Sequence, residues 1–171
     1  MKKVLPFLLF ASLFVSTTVL AQDKQAPKSP PMVTEATIAS GATIKINYSA
    51  PSVKGRVIGK DLEPMAGKIW RTGANDATTF DVNKDVMVEG KALPAGKYSL
   101  FTIVNGNEWT IIFNKTAKQW GAYNYVEADD ALRVKVARSK GSFTEQFKIN
   151  ATNAGAVNMF WGNNKVSFKV K

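Results

Sequence analysis

The chain has 171 residues, with 23 Lys and Arg against 13 Asp and Glu, a formal charge of +10, and neither His nor Cys. Without imidazole there is no Ser-His-Asp or Cys-His catalysis and no His-ligated zinc, copper or iron, and without thiol there are no disulfides, thiolate metal sites or haem attached through Cys. Carboxylates, Lys, Tyr, or a Ser or Thr activated by Lys are what remains for catalysis.

Met1-Lys2-Lys3 precedes an apolar run from Val4 to Ala11 that resumes as Leu13, Phe14 and Val15, and Val19-Leu20-Ala21 closes it. A positive start, a short apolar core and a small-residue cleavage site predict a signal peptide over residues 1–21, cut after Ala21. The competing expectation is a membrane anchor, but the run is broken by Pro6 and Ser12 and is short of the ~20 residues a span needs. Cleavage removes Lys2 and Lys3, lowering the charge from +10 to +8. The remaining chain, about 150 residues, suits one domain. No later segment is long and apolar enough to span a membrane, so none is expected in the mature chain. Residues 22–32 hold three of the seven prolines and few core-forming side chains, which predicts an extended tether before a domain over 33–171.

Period-2 patterns dominate that domain. Ile44, Ile46 and Tyr48 alternate with Lys45 and Asn47; Trp109, Ile111 and Phe113 share a face; Leu132, Val134 and Val136 alternate with Arg133, Lys135 and Ala137. Phe143, Phe147 and Ile149 are expected on one face, and Val166, Phe168 and Val170 alternate with Ser167 and Lys169. One apolar face per strand marks antiparallel sheets covered on one side. Asn105-Gly106 between two such runs predicts a hairpin with a type I′ turn. Pro94-Ala95-Gly96, Lys140-Gly141 and Gly162-Asn163-Asn164 are further turn signals. The fold expected is all-β, a single antiparallel sandwich of roughly eight to ten strands. Residues 116–132, where Trp120, Tyr123, Tyr125 and Val126 fit no alternation, are expected as a helical turn or long loop.

The segment from Tyr48 to Phe80 carries a Tyr-x-x-Pro-x-x-Lys-Gly-Arg stretch (Tyr48, Pro51, Lys54, Gly55, Arg56), then Trp70-Arg71, Gly73 to Asp76, and Thr78 or Thr79. Leu93, Ala95, Gly96, Tyr98 and Leu100 form a turn and strand, and Trp109 to Asn114 a second strand. With these motifs the chain closely resembles the bacterial DUF2911 family, a domain of unknown function, over nearly all of the mature length. The resemblance implies an exported β-rich domain in a Gram-negative bacterium, periplasmic or secreted, and it transfers no catalytic residue.

From the residues themselves, Arg56, Arg71, Asn75 and Asp76 are the candidates for a shared polar site, with Trp70, Tyr48 or Trp120 as an aromatic wall. Gly73 permits a bend that returns Asn75 and Asp76 toward Arg71, and an Arg fork binds a carboxylate at two points. Either Arg71 pairs with Asp76 to fix the loop while Trp70 serves the core, or the loop forms a pocket for a carboxylated, phosphorylated or sugar-like ligand. Asp81 to Asp85 begins like a calcium loop, but Val86 stands where Gly is needed and Ala92 where the bidentate Glu belongs, so neither a metal nor another cofactor is expected. Glu127, Asp129 and Asp130 form either a solvated turn or a carboxylate pair for glycoside cleavage. The positive charge is scattered through strands and turns, and with export it argues against a nucleic-acid role. Three functions follow in order: a non-catalytic envelope domain binding a small anionic or carbohydrate ligand or an envelope protein through residues 54–78, a carboxylate-dependent glycan hydrolase, and a purely structural domain.

Overall fold

A computed structural model describes residues 27–171. The expected signal peptide and most of the tether lie outside the described residues. The described residues are all-β, and ten strands follow in order: β1 (Pro31–Thr37), β2 (Thr43–Ser49), β3 (Ile69–Trp70), β4 (Thr78–Val82), β5 (Val86–Val88), β6 (Lys91–Leu93), β7 (Gly96–Asn105), β8 (Glu108–Asn114), β9 (Asp130–Ala151) and β10 (Ala156–Lys169). β1 thus starts at Pro31, and the last two residues of the expected tether pair with β2.

One antiparallel sheet runs β1-β2-β4-β7-β8-β9-β10, with β3 attached to β7, and β5 and β6 make a separate hairpin. The sandwich arises because this sheet curls over itself. β9 spans 22 residues: Asp130 to Ala137 pairs with β8, and farther along Phe147 N–H donates to Pro51 O (2.8 Å) and Val53 N–H to Glu145 O (2.8 Å). The far end of β9 therefore meets the chain leaving β2, bringing opposite ends of the sheet together.

Inside the curl the alternating apolar residues meet as expected. Phe80, Phe113, Phe168 and Tyr98 pack edge-to-face or tilted at one end, and Trp70, Trp109, Phe147, Trp161 and Tyr48 at the other, with centroid separations of 5.0–6.4 Å. Such pairs contribute about 0.5–1.5 kcal/mol each beyond their buried area. β7 and β8 depart from the one-sided pattern, since Phe101 and Ile112 face outward and are nevertheless buried. Tyr125 covers them, its ring 5.0 Å from that of Phe101. Of the segment expected as a helical turn or loop, residues 116–129 are a loop with a 3-10 turn at Glu127–Asp129, while Asp130, Ala131 and Leu132 already belong to β9.

Three turn expectations are corrected. The β7–β8 loop is Gly106-Asn107, one residue later than expected, because Asn105 still pairs with Glu108. Gly106 alone has positive φ (60°), which fits a II′ turn with Gly at its first central position. Lys140-Gly141 and Gly162-Asn163-Asn164 lie inside β9 and β10, where the register shifts between Phe160 and Gly162 and again between Gly162 and Asn164. Glycine there serves a bulged, bent strand instead of a reversal. The same shifts break the expected face of Phe143, Phe147 and Ile149: Phe147 is buried, whereas Phe143 is 58% exposed. Phe147→Ala should therefore cost about 3–5 kcal/mol and Phe143→Ala less than about 0.5; comparable losses in urea unfolding would contradict the bulged register.

Candidate functional site

Gly73 decides the local path after β3. A Cβ there would lie 2.9 Å from Ser49 O and 3.1 Å from Thr78 Oγ1, so only glycine lets the loop cross the end of β2. Just before it, Thr72 holds φ = 53°, a left-handed conformation that a β-branched residue adopts only under constraint. Its Oγ1 lies 3.0 Å from Thr102 Oγ1, and its carbonyl accepts from Thr78 Oγ1 at 2.6 Å. Trp70 donates its indole N–H to Gly73 O at 3.0 Å. Strand alternation ends at this turn, and Trp70 and Arg71 reach the same cavity.

That cavity, about 480 Å³, lies at the seam where the sheet closes. Lys28 and Ser29 enter from the residues ahead of β1; Pro51, Ser52, Lys54 and Arg56 from the chain after β2; Leu62 and Glu63 from the loop that follows; and Trp161 from β10. β9 fixes the second of these segments, with Glu145 Oε1 accepting the Lys54 N–H at 2.7 Å. Arg56 donates Nε to Val53 O (3.1 Å) and Nη2 to Ser52 O (2.7 Å), so part of its fork holds its own turn. Trp161 donates its indole N–H to Glu63 O (2.7 Å), and the Glu63 carboxylate accepts from Met65 N–H (2.7 Å).

Arg71 is different. The ion pairs among the described residues join Lys45 to Glu35, Arg133 to Glu127 and Asp130, and Lys135 to Glu108, and none uses Arg71. Its Nε is buried with no hydrogen-bond partner. The expected Arg71–Asp76 pair does not form. Asn75 turns the chain with φ = 59°, and Asp76 bridges to Trp120 and lines a separate groove. An unpartnered buried donor costs about 1–3 kcal/mol, more when charged. The rest of the partly exposed Arg71 side chain lines the cavity with no acceptor among the described residues, where an anion could meet it.

Of the residues expected at one site, the fold brings together Arg56, Trp70 and Arg71. Tyr48 is a core residue whose hydroxyl donates to Ile149 O (3.4 Å) and accepts Ile149 N–H (3.1 Å). Asn75 is exposed, its carbonyl accepting Gly121 N–H, and Trp120 is 61% exposed on the loop after β8. Sequence reasoning missed Lys28 and Trp161, whose separation from Arg71 along the chain gives no signal without the closure of the sheet. Lys54 stood in the motif and was not singled out.

A family model described as a protein of unknown function, DUF2911, matches residues 29–170. The chain belongs to the DUF2911 family. Neither the curated proteins nor the solved structures contain a match. In this DUF2911 chain the described residues include no group of three or more metal-ligating side chains and no helix long and apolar enough to cross a membrane.

The acidic residues before β9 are not free to pair as acid and base. Asp130 accepts from Tyr125 Oη (2.7 Å), Asn114 Nδ2 (2.8 Å) and Arg133 Nε (2.6 Å), while Arg133 Nη1 reaches Glu127 at 3.1 Å. With Gln119, whose Nε2 donates to Asn114 Oδ1 (3.1 Å) and Thr116 O (2.8 Å), this network pins the loop over β7 and β8. Partial burial, then the hydrogen bond to Asp130, pushes the Tyr125 hydroxyl up to about 12. Between about pH 10 and 12 the folded chain holds a proton there that the unfolded chain has lost, so stability falls as pH rises through that window. Tyr48 and Tyr98 are raised as well, by burial first. Tyr125→Phe should cost about 1 kcal/mol at neutral pH and make the alkaline fall shallower without abolishing it; an unchanged alkaline slope in urea unfolding would contradict the assignment.

Proposed function

We propose that the mature chain is an exported, non-catalytic binding domain that holds a small anionic ligand in the Arg71 cavity. The observation that carries this reading is Arg71 itself, a guanidinium with no side-chain partner among the described residues, lining a cavity that also gathers Lys28, Lys54 and Arg56. Its volume of about 480 Å³ lies within the 300–1,000 Å³ usual for small-molecule sites. Pro51 and Leu62 supply apolar wall above the nearly buried indoles of Trp70 and Trp161, whose N–H groups are already satisfied within the protein. Glycoside cleavage by two carboxyl groups finds less support here, since the lining has one acid, Glu63, already accepting a backbone N–H. A structural domain without ligand is the weaker reading, because a purely structural Arg71 would be expected to have a partner.

Arg71→Met separates these readings. It keeps an apolar stem and removes a charge that has no partner among the described residues, so the free variant should be within about 0.5 kcal/mol of the parent or more stable. Thermal shifts against carboxylates, sulfate and phosphate at constant ionic strength test binding. An anion at 100 times its Kd should stabilise the parent by about 2.7 kcal/mol, roughly 5–10 °C in Tm, and leave the variant unmoved. A variant that is strongly destabilised, with anion shifts unchanged, would sink the proposal.

Export belongs to the same reading and rests on the lysine-led apolar run ending at Ala21. Protein recovered from the periplasm or medium should begin at Gln22. An intact Met1 leader on cytosolic protein would refute it.

A further inference from the structure

We propose that the ligand of the Arg71 cavity is a phosphomonoester dianion on a compact, largely apolar body, an inference that rests on the anion-binding reading above. Charge comes first. Lys28, Lys54, Arg56 and Arg71 face the cavity against Glu63 alone, whose carboxylate is already engaged by Met65 N–H. A monoanion would leave most of that excess uncompensated, whereas a dianion neutralises more of it at the same site.

Geometry points the same way. A guanidinium fork engages two oxygens side by side, and a carboxylate has no others. A phosphoryl head has a third, suited to a point-charge ammonium, and the cavity offers Lys54 and Lys28 for it. The Arg56 fork already spends Nε and Nη2 on backbone carbonyls, whereas the Arg71 side chain has no hydrogen-bond acceptor among the described residues.

The walls define the body. A bare phosphate is far smaller than the cavity of about 480 Å³. Trp70 and Trp161 are almost fully buried beneath the cavity with their N–H donors committed inward, so Pro51 and Leu62, both partly exposed, present the carbon that faces the remaining space. A compact group with an apolar face fits beside Pro51 and Leu62, with the polar lining left to the head group.

The absence of His gives the inference an unusually clean test. The groups facing the ligand from each surrounding segment are Lys28, Lys54, Arg56, Glu63 and Arg71, with Glu145 behind Lys54, and no imidazole exists anywhere in the chain. A phosphomonoester gains its second charge near pH 6, and the α-amine that cleavage frees at Gln22 gains positive charge on acidification, so a loss of affinity from about pH 7.5 to 5.5 is assigned to the ligand.

Titration calorimetry on the mature chain should use phenyl phosphate, phenyl sulfate, benzoate and inorganic phosphate. Phenyl phosphate should bind at least about tenfold more tightly than each of the others, because each lacks the second charge, the third oxygen or the body. Its affinity should fall about fourfold from roughly pH 7.5 to 5.5, tracking loss of the dianion, while that of phenyl sulfate stays flat. Arg71→Lys, which keeps the charge and loses the fork, should weaken phenyl phosphate at least about tenfold, and Lys54→Ala should weaken it with the fork intact. Benzoate or phenyl sulfate binding as well as phenyl phosphate, or a flat pH profile, overturns the phosphomonoester and leaves the anion site standing. Inorganic phosphate binding as tightly as phenyl phosphate overturns the apolar body. No binding by any probe, or binding indifferent to Arg71, overturns both this inference and the reading beneath it.

Discussion

The left-handed backbone at Thr72 is the constraint on which the site depends. A β-branched residue at φ = 53° is strained by about 1–3 kcal/mol, and it persists only where its surroundings over-determine it. Here they do. The side chain is fully buried against Thr102, the carbonyl is held by Thr78, and Gly73 next in sequence passes so close to Ser49 O that no side chain fits. The turn ends the in-out alternation of β3 one residue after Trp70. Trp70 can then anchor the core while Arg71, its neighbour, reaches the same cavity from the rim.

Closure of the sheet supplies the other half. β9 is long enough to pair with β8 through its first part and with residues 51–53 through its last, so the two ends of one sheet meet at a seam. Trp70, Phe147 and Trp161 pack beneath it, with Phe147 between the two indoles at 5.2 and 6.0 Å. The seam thereby has an aromatic floor and a rim drawn mostly from the long connection between β2 and β3. Because the rim is drawn from segments distant in sequence, its composition is free to differ from the rest of the surface.

Period-2 patterning was enough to read the all-β class and the inward faces of β2, β8 and the end of β10 from the sequence, since each strand there keeps one register. Legibility stopped where register shifts. Gly141 and Gly162 look like turns because glycine serves reversals and bulges alike, and the difference lies in partners across the ladder that a linear reading does not see. Phe143 was misplaced for the same reason. At the site, Arg71 and Asp76 are near in sequence and opposite in charge, which favours pairing on paper. The positive φ of Asn75 and the bridge from Asp76 to Trp120 turn them apart. Lys28 and Trp161 were invisible because only closure brings them to Arg71.

A second concavity shows why the charge at the seam is more than the basic character of the whole chain. On the outer face of β2, β4 and β7, Lys45 lies opposite Asp81 and Asp81 opposite Lys97, a row of alternating sign, with Asp76 nearby. Cross-strand neighbours of opposite charge compensate each other there, as exposed sheet faces commonly do. Chance distribution of an overall positive charge would scatter its excess across such faces. At the seam the excess is concentrated instead, with four cations lining one cavity against one engaged carboxylate. An anion that enters meets that excess at short range, and the charge attraction contributes to its binding. Since no neighbouring imidazole titrates, that attraction stays available across the neutral pH range and follows the charge state of the ligand.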